Sequence, residues 1–266
     1  MYVEKSFQTK SGTLNYAEGP ASGPPLLLLH GVTANWTMFT PMLATLSQRW
    51  HVFAPDFRGH GKSSHVSGRY QFTNYAEDIP PFIESTFSEP PVILGASLGG
   101  MVGILVAANY PEQVRALIVG DSLLYPETIA QWREQVGDTQ KRREEIDAAP
   151  PVKEMAEIFR QSPPERRDGW NRWAAHSYLQ LDSDILNFQG AEDIAKEYNC
   201  AELLPKIQCP VLLIQAFIMQ NDADRALSQL QDGYIARFGD LGHLMDLEPE
   251  GYQVLNEICL FLESLR

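Results

Sequence analysis

Ser97 lies at the centre of the segment GASLG, a G-x-S-x-G pattern that begins at Gly95 and ends at Gly99. The pattern follows an apolar run at 91–96, which predicts a buried strand, and precedes a small-residue stretch at 98–110, which predicts a helix. A serine on so tight a strand-to-helix turn has a strained backbone, and small neighbours let the strand and the helix pack closely. The start of the helix also offers N–H groups and a favourable dipole to a developing negative charge. We therefore predict that Ser97 is a catalytic nucleophile.

His243 is the predicted base. A serine hydroxyl is a weak nucleophile until a neighbouring base takes its proton, and histidine is the side chain that most often does so. The chain contains six histidines. His30 and His60 belong to glycine-flanked loops, and His30 is expected to be structural. His243 follows a glycine in a late loop, between a predicted strand and the last predicted helix, so we assign the proton transfer to it.

Two backbone N–H groups are expected to form an oxyanion hole. The segment HGV closes the predicted strand at 25–30, and a loop there can turn the N–H of Val32 toward Ser97. The N–H of Leu98, at the start of the following helix, would be the second donor. Together these donors would stabilise the negative charge of a tetrahedral intermediate.

Strands and helices alternate in the first part of the chain, which predicts a parallel sheet covered by helices. Predicted strands lie at 13–18, 25–30, 51–56, 91–96 and 114–121, with helices at 35–47, 74–87 and 98–110. Pro80 and Pro81 are expected to mark a kink or a break in the second of these helices. The pattern returns with strands at 209–215 and 234–238 and helices at 222–230 and 251–265.

The stretch 125–200 interrupts this alternation. It contains no convincing buried strand, is charged and helical in character, carries proline breaks and includes a cluster of large aromatic side chains. We interpret it as a helical cap (lid) inserted into a sheet domain that consists of 1–124 and 201–266. The alternative is that it supplies ordinary helices that cover the sheet.

Four segments, LLLLHGVTANW, DFRGHGKSS, GASLGG and GDLGH, resemble in their order and spacing the α/β-hydrolase superfamily of esterases, lactonases, C–C hydrolases and perhydrolases. The resemblance covers nearly the whole chain outside the predicted cap. It implies the α/β-hydrolase fold, a mostly parallel sheet covered by helices on both faces, with an inserted helical cap. It is specific for the fold and weakly specific for the substrate, because one fold hosts many reactions.

The acid of the expected catalytic triad has two main candidates. A catalytic histidine needs a carboxylate that orients it and stabilises its cation. The resemblance places this acid just after the strand at 211–215, but the chain reads AFIMQN there, without a carboxylate. Asp222 follows directly, although it also occupies a favourable helix N-cap position. Asp121 ends the strand after the nucleophile helix, where some members of the superfamily carry their acid, so we favour Asp121 over Asp222, with Asp224 a weaker choice.

The expected activity is cleavage of a small-molecule carboxylic ester or lactone through an acyl-enzyme intermediate, without a metal or an organic cofactor. C–C bond hydrolysis or perhydrolysis with the same triad is an alternative. So is a ligand receptor on a hydrolase scaffold that turns over slowly or not at all. Halide or epoxide chemistry is disfavoured, because related enzymes of that kind use an aspartate at the position of Ser97.

Composition narrows the partners and the compartment. The net charge of −13 disfavours nucleic acid and anionic membrane surfaces, because like charges repel. Three scattered cysteines make a poor disulfide framework and suit a reducing compartment. The first residues lack the apolar core of a signal peptide, and no apolar run is long enough to span a bilayer. We therefore expect a cytoplasmic protein, and the sequence leaves its oligomeric state open.

Overall fold

Short apolar segments form the strands of one sheet. The computed structural model describes residues 1–125, 127–128, 177, 180–186, 198–216, 222–239 and 251–265. Within them the sheet has eight strands: β1 Val3–Gln8, β2 Thr13–Glu18, β3 Pro25–Leu29, β4 His51–Pro55, β5 Val92–Ala96, β6 Ala116–Gly120, β7 Val211–Gln215 and β8 Gly233–Arg237. The strands β3, β5, β6 and β7 are almost entirely buried, as is typical of parallel strands covered on both faces.

The sheet has the strand order β1-β2-β4-β3-β5-β6-β7-β8. β2 pairs antiparallel with both β1 and β4, whereas every other pairing is parallel. The chain runs from β3 to β4 on one side and then returns to β5 on the other side of β3. The carboxyl ends of β3 and β5 therefore flank the point where the strand order reverses, and open α/β sheets bind their ligands outside such a point.

Helices cover both faces of the sheet. In the part of the chain that the structure describes, the α-helices are α1 Thr40–Leu46, α2 Phe72–Thr86, α3 Leu98–Asn109, α4 Cys200–Leu203, α5 Ala223–Leu227 and α6 Gly251–Ser264. Successive β3 side chains alternate between the faces, as strand geometry requires. Leu27 and Leu29 pack with α2 and α3, and Leu26 and Leu28 pack with α1 and α6. The predicted mostly parallel sheet with helices on both faces is confirmed.

The helix α2 continues through Pro80 and Pro81, so the break considered from the sequence does not occur. A proline inside a helix removes a backbone hydrogen bond and costs about 3 kcal/mol. The packing of the apolar face of α2 outweighs this cost, because Tyr75, Ile79 and Phe82 are buried in the core.

The strand β1 is absent from the sequence-based prediction. Its side chains are mostly exposed, so the segment has neither the continuous apolar run nor the clean alternation that marks a strand. β1 lies at the edge of the sheet and pairs with β2 through all six of its residues, from Val3 opposite Glu18 to Gln8 opposite Thr13. Backbone pairing, rather than side-chain burial, therefore defines it.

Most of the predicted cap, 125–200, lies outside the described residues. The described residues at its two ends pack in the core, since Tyr125, Tyr198 and Cys200 are fully buried. All three cysteines fall within described segments, and each is a free thiol. No helix in the described part of the chain is long and apolar enough to cross a membrane.

Candidate active site

Ser97 lies between the last residue of β5 and the first residue of α3, at the carboxyl edge of the sheet. Its backbone has φ 51° and ψ −113°, outside the regions that residues with a Cβ favour. Such a conformation costs about 1–3 kcal/mol and persists only where the surroundings enforce it. The tight, strained turn predicted at this serine is therefore present.

Glycines on both sides of Ser97 make room for the turn. A Cβ on Gly95 would lie 2.2 Å from the carbonyl oxygen of Gly99, and a Cβ on Gly99 would lie 2.0 Å from that of Leu29. No side chain fits at these distances. The two glycines therefore allow β5, α3 and the end of β3 to approach one another.

The end of β6 holds the backbone of Ser97. The N–H of Ser97 donates to the carbonyl of Gly120 at 2.8 Å. The carbonyl of Ser97 accepts the Ser122 hydroxyl at 2.9 Å. It also accepts the N–H groups of Gly100 at 3.0 Å and Met101 at 3.2 Å. These bonds fix the peptide groups on both sides of Ser97.

The loop after β3 lies against Ser97. A Cβ placed on Gly31 would be 3.5 Å from the Cβ of Ser97, which is an ordinary contact distance. Val32 follows directly, and Thr33 turns the chain with φ 65°. Leu98 begins α3, where the first N–H groups of a helix have no acceptor in a preceding turn. The structure thus brings the two segments that carry the predicted oxyanion donors to the same serine.

His30 fastens this loop to the segment after β4. Its Nδ1 lies 2.7 Å from the Gly31 carbonyl and therefore carries the proton, while its Nε2 accepts the N–H of Phe57 at 2.9 Å. The ring is fully buried. Burial, with a smaller effect of His60, lowers the pKa of His30 well below its usual value. The expected structural role of His30 is confirmed.

His60 makes the second tie between the same two loops. Its Nδ1 lies 3.0 Å from the carbonyl of Arg58, and its Nε2 accepts the N–H of Thr33 at 3.3 Å. This ring is also fully buried. Burial lowers the pKa of His60 to about 4. A neutral His60 therefore fixes the backbone of Thr33, which directly follows Val32.

Asp56 anchors the segment after β4. Its carboxylate accepts the backbone N–H groups of Trp36 at 2.8 Å and Lys62 at 3.0 Å and the side-chain amide of Asn15 at 2.8 Å. Burial raises the pKa of Asp56, and these hydrogen bonds oppose the rise. The segment DFRGHGKSS, which begins at Asp56, contributes to the resemblance noted from the sequence, but no role was predicted for its first residue. The available signal was a carboxylate directly after a buried strand.

Asp121 follows β6 directly and is fully buried. Its backbone has φ 38°, its N–H donates to the carbonyl of Ile214 at 2.9 Å, and its Oδ1 accepts the N–H of Ala216 at 3.1 Å. The preceding residue, Gly120, accepts the N–H of Ser97. Asp121 therefore directly follows Gly120, whose carbonyl accepts a hydrogen bond from the backbone of the candidate nucleophile Ser97.

Asp222 precedes α5 and is 6% exposed. Its side chain does not cap α5, so the capping role considered from the sequence is wrong. Burial raises its pKa, against hydrogen bonds from the Thr128 side chain and the backbone of Leu124. Within the described segments, its Oδ2 has no hydrogen-bond partner. The cost of leaving a cap therefore no longer separates Asp222 from Asp121.

His243 and the segment 217–221 lie outside the described residues. The structure brings Ser97 and Asp121 to the carboxyl ends of the neighbouring strands β5 and β6. The role of His243 and the choice of the acid stay predictions. In the part of the chain that the structure describes, no group of three His, Cys, Asp or Glu side chains could hold a metal ion.

The chain was compared with protein families and with known proteins. Residues 24–243 match a family model described as the alpha/beta hydrolase fold. A 2-(acetamidomethylene)succinate hydrolase from Mesorhizobium japonicum is 38% identical over 118 residues, which make up 44% of this chain and 42% of that protein. The chain therefore matches less than half of the length of this relative.

Two solved structures share the overall arrangement. A hydrolase from Pseudomonas aeruginosa superposes with a TM-score of 0.80 at 21% identity, over 97% of this chain and 98% of that one. A thermophilic esterase from Thermogutta terrifontis superposes with a TM-score of 0.75 at 22% identity, over 100% of this chain and 99% of that one. At these identities the likeness shows the fold alone.

Proposed function

Because the chain belongs to the α/β-hydrolase fold family, we propose that it is a serine hydrolase that cleaves a small-molecule carboxylic ester or lactone. The observation that carries the proposal is the strained turn at Ser97, with φ 51°, directly against the loop at Gly31. A strained backbone that neighbouring elements enforce is a mark of functional sites. An ordinary glycine-rich turn with an incidental serine would not need such enforcement.

The first half of the proposed reaction forms an acyl-enzyme. The Oγ of Ser97 attacks the carbonyl carbon of the substrate while His243 takes the hydroxyl proton. The carbonyl oxygen becomes an oxyanion that accepts the N–H groups of Val32 and Leu98. The intermediate then collapses, the bond to the alcohol oxygen breaks, and His243 returns the proton to that leaving oxygen. For a lactone the leaving alcohol stays attached to the acyl chain.

The second half releases the acid. Water replaces the alcohol, and His243 takes a proton from the water as its oxygen attacks the acyl carbon. Collapse of the second oxyanion breaks the bond to Ser97 Oγ, and His243 gives the proton back to the serine. We propose that Asp121 orients His243, and Asp222 remains the alternative.

A second substrate class is favoured by one relative. The hydrolase from Mesorhizobium japonicum is named for 2-(acetamidomethylene)succinate, which is neither an ester nor a lactone. The same serine and base could therefore act on such a substrate in this protein, or on a C–C bond. A substrate panel that contains this compound beside esters and lactones separates the classes.

The test is a substrate panel with a matched serine variant. Wild-type protein is assayed on p-nitrophenyl esters of increasing acyl length, on a series of lactones and on 2-(acetamidomethylene)succinate. We expect turnover of at least one ester or lactone, and a loss on the order of 10⁶ in kcat on that substrate in Ser97→Ala. Circular dichroism of Ser97→Ala checks that the fold is retained.

Three outcomes would count against this account. Activity of Ser97→Ala within tenfold of wild type would remove Ser97 from the mechanism. Turnover of 2-(acetamidomethylene)succinate alone would replace the ester proposal with the second substrate class. Absence of turnover across the panel would favour the receptor alternative.

A further inference from the structure

Ser122 is a fully buried serine with a hydroxyl directed at the turn of the candidate nucleophile. Its Oγ lies 2.9 Å from the carbonyl oxygen of Ser97 and 3.2 Å from that of Gly120. A hydroxyl has one proton to donate, and the shorter contact is the one to Ser97. Ser122 follows Asp121, so one short segment carries both the favoured acid and this hydroxyl.

The carbonyl that Ser122 contacts belongs to the same peptide group as a proposed oxyanion donor. The C=O of Ser97 and the N–H of Leu98 lie in one planar trans peptide, and they point in opposite directions. The carbonyl also accepts the N–H groups of Gly100 and Met101, and each bond that fixes the carbonyl also fixes the direction of the N–H. A donor on the carbonyl further polarises the peptide, which strengthens the N–H as a donor on the other side.

The space for this hydroxyl exists because residue 100 is a glycine. A Cβ on Gly100 would lie 2.1 Å from the Oγ of Ser122, closer than any two such atoms can approach. The second glycine of the GASLGG segment therefore has a role beyond the close packing of strand and helix. It admits the Ser122 hydroxyl to the carbonyl of Ser97.

We propose that Ser122 is a positioning residue that orients the Leu98 N–H within the oxyanion hole. The proposal rests on the proposed function, in which Ser97 is the nucleophile. Ser122 does not touch the substrate in this account. It acts through the peptide between Ser97 and Leu98.

The experiment compares Ser122→Ala with Ser63→Ala on the best substrate of the panel. Ser63 is a matched control, because it is also a buried serine, with its hydroxyl 2.6 Å from the carbonyl of Asp56 and its Oγ accepting the N–H of Asn15 at 2.9 Å. For Ser122→Ala we expect kcat to fall about tenfold with KM within about twofold, because the lost bond acts on the charged intermediate.

A second readout isolates the oxyanion hole. The affinity of a boronic acid that forms a tetrahedral adduct with the serine is expected to fall in Ser122→Ala by the same factor as kcat. Both quantities should stay within about twofold of wild type in Ser63→Ala. If Ser122→Ala does not fold, Ser122→Cys retains a side-chain donor that is larger and weaker than the hydroxyl, and the same direction of change is expected.

Two results would overturn the positioning role while leaving the proposed function intact. One is wild-type kcat and boronic acid affinity in Ser122→Ala, and the other is an equal loss of both in Ser63→Ala. Absence of turnover and of adduct formation in the wild-type protein would instead overturn the proposed function, and this inference with it.

Discussion

At the scale of single residues, the backbone of Ser97 stores strain that its neighbours hold in place. The conformation costs about 1–3 kcal/mol, and the hydrogen bonds to Gly120 and Ser122 each contribute about 1 kcal/mol. Together these two bonds offset about 2 kcal/mol of the cost, and the bonds from Gly100 and Met101 to the Ser97 carbonyl add to this. The strain is concentrated at the residue that we propose as the nucleophile.

The residue-scale prediction concerns the acid. We expect Asp121→Asn to lower kcat by roughly 10⁴, because an asparagine favours the wrong histidine tautomer, and Asp222→Asn to lower kcat little. The motivation is that Asp121 is fully buried next to Gly120, whose carbonyl bonds Ser97. Steady-state kinetics of the two variants on one substrate measures the effect. The reverse ranking would assign the acid to Asp222.

The strained turn at Ser97 could be predicted from the sequence because the turn demands small residues at fixed spacing. The oxyanion donors Val32 and Leu98 stay predictions. The acid could not be resolved in that way. Asp121 and Asp222 each follow a strand of the same sheet, and both are buried. Helix capping does not separate the two aspartates, because the Asp222 side chain makes no cap bond. Only the position of the carboxylates relative to the base separates them.

At the scale of elements, the turn between β5 and α3 depends on glycines, because a residue without a side chain lets neighbouring backbones approach closely. Gly99 lies against the end of β3, where a Cβ would be 2.0 Å from the Leu29 carbonyl, whereas a Cβ on Gly31 would make an ordinary 3.5 Å contact. Backbone atoms cannot move aside as a flexible side chain can. The two glycines therefore tolerate substitution differently, although both adjoin the site.

The element-scale prediction follows from these distances. We expect Gly99→Ala to lower the free energy of unfolding by about 3 kcal/mol, because β3 and α3 have to separate. We expect Gly31→Ala to change it by less than about 1 kcal/mol. Urea unfolding followed by tryptophan fluorescence compares the two variants. Equal losses in both would contradict the close approach of α3 to β3.

The elements themselves were predictable where burial imposes a pattern. The strands β3, β5, β6 and β7 are continuous apolar runs, so their positions follow from the sequence to within about two residues. The exposed strand β1 could not be found in this way, because its backbone bonds rather than its side chains define it. Pro80 and Pro81 had the opposite effect on the prediction. They indicated a possible helix break, but the packing of α2 in the core outweighs the unfavourable helix propensity of proline.

At the scale of the whole molecule, the site joins segments that are distant in the chain. The loop after β3, the turn at Ser97 and the end of β6 meet at the carboxyl edge of the sheet, beside the reversal of strand order. Two buried histidines, His30 and His60, lock the first of these loops to the segment after β4. The stability of the molecule should therefore depend on their protonation.

The whole-molecule prediction is a loss of stability in mild acid. Burial lowers the pKa of His60 to about 4 in the folded chain, against about 6.5 in the unfolded chain. As the pH falls below 6.5, His60 becomes protonated in the unfolded chain but stays neutral in the folded chain. The stabilisation is therefore complete above pH 6.5 and is lost as the pH falls toward 4, by about 3 kcal/mol.

The measurement is the free energy of unfolding in urea between pH 4.5 and 7.5. His60→Gln is expected to be less stable at pH 7.5 and to show a shallower dependence on pH than the wild type. His65→Gln, which removes a half-exposed imidazole whose charge adds only a smaller effect on His60, serves as the comparison and should change the slope less than His60→Gln does. Identical slopes for wild type and His60→Gln would contradict the buried, neutral state of His60.

The central claim is that Ser97 is the nucleophile, and covalent labelling tests it most directly. The protein is incubated with a serine-directed phosphonate and digested, and the labelled peptide is identified by mass spectrometry. The account predicts one label per chain, on the peptide that contains Ser97, and no label in Ser97→Ala. A label on a different serine, or none in wild-type protein that hydrolyses an ester, would contradict it.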